Sequence, residues 1–157
     1  MALVDPFDGI AVPKDLVAEF FAVFSRCEYA MKETGYNRDD HGIASPAWQR
    51  LANDAVTWLD VSPGSDVAQA IALLTGYPPK LQSFSDGWKS SPLRGGNVIA
   101  HAIEAATRVR HNLFHGGKHT PEEELGRNEQ LVRAALTLLV ALIDLCPNDL
   151  RGAYNNG

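Results

Sequence analysis

The sequence predicts an all-α fold: a four-helix up-and-down bundle with short accessory helices. Three observations predict the helical class. Apolar residues recur at three- and four-residue spacing over long stretches, strict apolar/polar alternation is nearly absent, and residues that start and stop helices bracket the periodic stretches. The 157 residues make one domain, 1–157, with a core from about 13 to 147.

The first helix is expected over Pro13 to Thr34, where Val17, Phe20, Phe21, Phe24, Cys27 and Met31 form an apolar stripe. Pro13 suits the first turn and Gly35 the stop. Glu28 lies on the margin of that stripe, either as a boundary residue or facing an arginine from another helix. "NRDDHGIASP" reads as a polar loop, with Ser45 as an N-cap and Pro46 as the first residue of a second helix. That helix, "PAWQRLANDAVTWLD", carries Trp48, Leu51, Ala55 and Leu59 on one face. A short third helix spans about Ser65 to Thr75 and ends at "GYPPK", because proline cannot continue a helix. The segment from Leu81 to Gly96 reads as a long connection with one helical turn near Phe84 to Trp88. The fourth major helix starts after Asn97 and ends at Gly116-Gly117. The last one opens at "TPEE", with Thr120 as cap, Pro121 at the first position and Glu123 completing a capping box. It runs to Pro147, apolar almost all round past Ala134, so it is central or shared with another subunit. The tail "RGAYNNG" is expected to fray.

Composition narrows the function classes. With 45% apolar and 21% charged residues and no repeat, the chain is globular. A net charge of -5 argues against a broad nucleic-acid coat but leaves room for a small phosphate site. Cys27 and Cys146 sit inside apolar helical patterns and are expected as buried free thiols of a cytosolic protein. The N-terminus lacks the pattern of a secretory signal, and the longest apolar run is too short for a bilayer. The expectation is a soluble cytoplasmic protein with no membrane partner.

The chemistry gathers in "RVRHNLFHGGKH", residues 108 to 119. Four of the five histidines, His101, His111, His115 and His119, fall within nineteen residues. On a helix this segment has two faces. Ile99, Ile103, Ala106, Arg110 and Leu113 form one stripe, so Arg110 occupies a core-facing position. A guanidinium there is costly unless it is paired or lines a cleft. It is a buried structural salt bridge or a site arginine facing a groove or subunit interface. His101, Glu104, Arg108, His111 and His115 form the second stripe, which alone reads as a solvated face with an i,i+4 Glu104–Arg108 pair. His115 closes the helix, where the macrodipole favours a protonated imidazole. A metal is not expected: His111 and His115 are spaced as a zinc pair, but the H-E-x-x-H pattern is missing and the adjacent cations oppose a divalent ion.

"RHNLFHGGK" resembles the signature of HEPN domains, the higher eukaryotes and prokaryotes nucleotide-binding superfamily. Its motif is an arginine, a polar residue, and a histidine four to six residues further on. Here Arg110 is followed by His111, then Asn112-Leu113-Phe114, then His115. His111 stands where the family more often has Asn or Asp. The resemblance spans about Pro13 to Pro147. It implies a four-helix bundle, a homodimer with a composite active site, and a metal-independent endoribonuclease needing no cofactor. Such proteins act as toxins or antiphage-defence effectors, held in check by an antitoxin such as a nucleotidyltransferase-type protein or another regulatory partner.

The implied roles fit the residue types. His115 takes or gives the proton as the ribose 2′-OH attacks the adjacent phosphorus, leaving a 2′,3′-cyclic phosphate and a 5′-hydroxyl. Arg110 holds the phosphoryl oxygens through its planar fork. His111, Asn112 and Glu28 are possible supporting residues, and Arg108 and Lys118 are candidates for flanking RNA phosphates or else solvated charges. Trp48, Trp58 and Trp88 are read as core residues rather than base-stacking platforms. On a straight helix Arg110 and His115 point about 140° apart, so two copies across a dimer axis, or an unwound helix end, must bring them together. The alternative function is a non-catalytic HEPN binding or dimerisation module, and a third possibility is a purely structural bundle.

Overall fold

A computed structural model describes residues 2–85, 87–115 and 122–157, with side chains left out for 114–115 and 122–126. Among the described residues it is mostly helical: α1 (Lys14–Lys32), α2 (Trp48–Ala55), α3 (Asp66–Gly76), α4 (Val98–His115), α5 (Glu122–Leu145) and α6 (Leu150–Asn156). Two antiparallel hairpins interrupt the helices, β1 (Asn37–Asp40) with β2 (Ile43–Pro46), and β3 (Leu81–Ser83) with β4 (Gly87–Lys89). The helix α5 packs against α1, α3 and α4, and its residues Leu131, Val132, Ala135, Leu138, Leu139 and Leu142 are buried in the core. That central place is the reason for its apolar surface. Among the described residues no single helix is long and apolar enough to cross a membrane.

Most of the periodic stretches fold as their spacing dictates, but α2 stops at Ala55, five residues short of the expected end at Asp60. On α1, Val17, Phe20, Phe24, Cys27 and Met31 are buried, and Phe20 meets Phe24 edge-to-face at 5.9 Å. Ser65 caps α3 by accepting from the Ala68 N–H at 3.1 Å. Asn97 caps α4 by accepting from Ala100 N–H at 2.9 Å. Cys27 and Cys146 are buried free thiols. The expected cap at Thr120, Pro121 and Glu123 and the stop at Gly116-Gly117 lie outside the described residues.

Four further expectations are corrected. "NRDDHGIASP" is a hairpin rather than a loop. His41 and Gly42, at φ 53° and 83°, make a two-residue turn with both residues left-handed, and Asp40 pairs with Ile43 across it. Pro46 therefore ends a strand, and α2 begins two residues later with Ala47, not Ser45, at its N-cap. The connection over 81–96 holds a second hairpin, and among the described residues no helical turn is found near Phe84 to Trp88. The tail is ordered as α6, where Arg26 donates to the Tyr154 carbonyl at 3.2 Å and to that of Gly157.

Candidate functional site

The helix α4 presents two polar faces, and each is occupied. On the face toward α1, the Arg110 guanidinium donates to Glu28 Oε1 at 3.0 Å and lies 4.5 Å from the centroid of the Phe24 ring. Glu28 and Phe24 are one turn apart on α1, so a single stretch of that helix supplies both the counter-charge and the aromatic face. Arg110 is neither sealed off nor loose: its side chain is 33% exposed and that of Glu28 28%. Arg110 is thus ion-paired, as the salt-bridge alternative expects, but the pair is only partly buried.

Arg108 is corrected. It lies on no solvated face but is 5% exposed, the one buried charged residue described. Its guanidinium donates to Glu104 Oε1 at 2.6 Å and to the carbonyls of Pro79, Ser91 and Pro92 at 3.2, 2.8 and 2.9 Å. Pro79 precedes β3 and Ser91 and Pro92 follow β4, so one planar fork grips both legs of the hairpin at its base. One turn on, Asn112 Nδ2 donates to the Lys80 carbonyl at 2.7 Å. Its Oδ1 is buried and finds no hydrogen-bond donor among the described residues. Glu104 also accepts from the Arg94 backbone N–H, and His101 Nε2 meets the Gly95 carbonyl at 3.2 Å. The polar stripe His101, Glu104, Arg108, Asn112 is therefore the surface on which residues 79–96 dock. With its donors spent on carbonyls, Arg108 is not an exposed phosphate contact.

His111 is exposed. His115 is the last residue of α4; its side chain, Lys118 and His119 lie outside the described residues. Among the described residues no three His, Cys, Asp or Glu side chains gather as metal ligands. Trp48 is half-buried 5.5 Å from Phe24, Trp58 packs on the core, and Trp88 is exposed on β4, outside the core expected for it.

A neighbouring feature escaped the sequence. Between the β1–β2 hairpin, α2, the Arg94–Gly95 loop and α4 lies a cleft of about 550 Å³, lined by Arg38, Arg50, Arg94, Trp48, Ile103 and Glu104 among others. Its three arginines come from three separate segments, so no local motif announces it. No family model matches the chain, and no curated protein or solved structure matches it either.

Proposed function

We propose that the chain is a cytoplasmic, metal-independent endoribonuclease of the HEPN type, a toxin or antiphage-defence effector whose long helices form the four-helix up-and-down bundle of that family. The observation that carries the reading is the state of Arg110. A guanidinium on the core-facing stripe of α4 is held by Glu28 and Phe24, stays one-third exposed, and lies five residues before His115 at the end of the same helix. Glu28 fixes the fork and limits its rotamers, so a phosphate approaching from solvent meets a pre-oriented cation. In the proposed reaction the 2′-OH attacks phosphorus, the 5′-oxygen leaves, His115 moves the proton and Arg110 stabilises the developing phosphoryl charge. The roughly 140° between the two residues on one helix calls for a dimer in which motif helices from two subunits share the cleft. Lys118 serves the flanking phosphates and His111 is a second proton-transfer group. RNA is the substrate, and an antitoxin or regulatory protein is the partner.

One observation favours the alternative of a non-catalytic HEPN binding or dimerisation module. The charge of Arg110 is already balanced by Glu28, and that of Arg108 is consumed by the hairpin.

The deciding experiment is cleavage of total RNA by the purified chain in EDTA, beside Arg110→Ala and His115→Ala. Cleavage by wild type, lost in both variants and leaving 2′,3′-cyclic phosphate ends, is expected. No cleavage from an intact dimer favours the binding module. Sedimentation at micromolar concentration tests the shared cleft, and a monomer with full activity would sink it.

A further inference from the structure

The cleft beside α2 has the chemistry of a ligand site separate from Arg110 and His115. Its floor and one wall are apolar, made by Pro46, Trp48, Ala100 and Ile103, and its rim is cationic, with Arg38, Arg50 and Arg94. In a chain of net charge -5 this is a local concentration of positive charge. The Glu104 carboxylate on the same wall is neutralised by Arg108 and the Arg94 N–H.

The three arginines differ in readiness. Arg50 Nη1 is spent on the Gly35 and Asn37 carbonyls at 2.6 and 3.1 Å, which anchors the side chain and leaves its other donors. Among the described residues Arg38 has one ion-pair contact, at 3.6 Å, with exposed Asp40. Arg94 is exposed and makes no ion pair among the described residues. The wall that carries Arg94 is fixed by Gly95, whose φ of 127° and close approach to Ala100 seat the loop on α4.

A volume of about 550 Å³ is that of a small-molecule site. Guanidinium forks match phosphate oxygens in pairs, and an indole beside aliphatic side chains suits a flat heterocycle. We infer that this cleft binds a nucleoside phosphate, free or as one unit of a strand, its base against Trp48 and Ile103 and its phosphates on Arg94, Arg38 and Arg50. The inference is independent of the ribonuclease reading.

Calorimetric titration of the full chain tests it, with three probes: adenosine diphosphate, a 2′-O-methyl oligoadenylate that cannot be cleaved, and inorganic phosphate. Binding of the diphosphate is expected, weakened about tenfold by Arg94→Glu. Trp48→Phe, which keeps an aromatic ring on Phe24, should weaken the diphosphate and leave inorganic phosphate unchanged. Binding of the oligonucleotide alone, weakened by Arg94→Glu and not by Arg110→Ala, assigns the site to a strand; binding of both includes free nucleotides. The inference is overturned if neither binds at millimolar concentration, if inorganic phosphate competes as well as the diphosphate, or if Arg94→Glu binds like wild type. Nucleotide binding without RNA cleavage would sink the ribonuclease alone, and cleavage without nucleotide binding would sink this site alone.

Discussion

Arg108 and Arg110 stand two residues apart on α4 and serve opposite sides of it. The first, paired with Glu104 of its own helix, holds the carbonyls of Pro79, Ser91 and Pro92, and the second holds Glu28 of α1. Two steps turn a helix by about 200°, so neighbouring arginines that look alike in sequence meet unlike surroundings.

Arg108→Ala should therefore be a stability variant. It orphans three backbone carbonyls and removes the cation paired with Glu104, at a cost of about 3 kcal/mol. Urea unfolding followed by circular dichroism measures this. A loss under about 1 kcal/mol would mean that the guanidinium does not bind the hairpin as described.

Arg110 and Glu28 should behave differently, because both are partly exposed and solvent screens their attraction. A double-mutant cycle with Arg110→Met and Glu28→Gln should give a coupling of about 0.5–1 kcal/mol, falling in 1 M salt. If the ribonuclease reading holds, Glu28→Gln alone lowers the cleavage rate by about tenfold or more, as Arg110 loses its fixed orientation. An unaltered rate would remove Glu28 from the site.

The sequence was most legible where one helix face meets the core. The stripe of α1, the caps Ser65 and Asn97, and the ability of Glu28 to meet an arginine were all readable from spacing. The hairpins were not, because β1 is four exposed polar residues with no alternation to detect. His41-Gly42 was the available sign: a residue tolerant of positive φ followed by glycine, set between two four-residue strands. The polar stripe of α4 misled for a related reason. Periodicity tells which residues share a face, but not whether water or a distant backbone covers it, and Arg108 is covered by carbonyls up to 29 residues away.

Gly95 tests the seating of the loop on α4. Its φ of 127° disfavours any side chain, and a Cβ would lie 2.7 Å from that of Ala100. Gly95→Ala should cost about 1–3 kcal/mol and weaken nucleotide binding at the adjacent cleft. Gly42→Ala has open space around it and provides the control for backbone strain alone, since its φ is 83°. Equal losses in both variants would mean that contact with Ala100 contributes nothing.

Tyr36 gives the fold an alkaline limit. Its ring is fully buried, and its hydroxyl accepts from Asn148 Nδ2 at 3.0 Å and from the Cys146 thiol at 3.6 Å. Burial, reinforced by the Cys146 contact, pushes the phenol from its ordinary value of 10.0 up to about 12. Between these values the unfolded chain has lost the proton and the folded chain keeps it. The contribution of Tyr36 is therefore complete below pH 10 and disappears as pH rises through about 12, a loss on the order of 2 kcal/mol. The Cys27 thiol, raised by burial, acts in the same direction from pH 9.0 upward, so the measurement is a difference between variants. Tyr36→Phe should be about 1 kcal/mol less stable at neutral pH, having lost the acceptor for Asn148, yet fall less steeply between pH 10 and 12. Urea midpoints at four or five pH values decide it: parallel curves for the two proteins would mean that the phenol titrates equally in the folded and unfolded states.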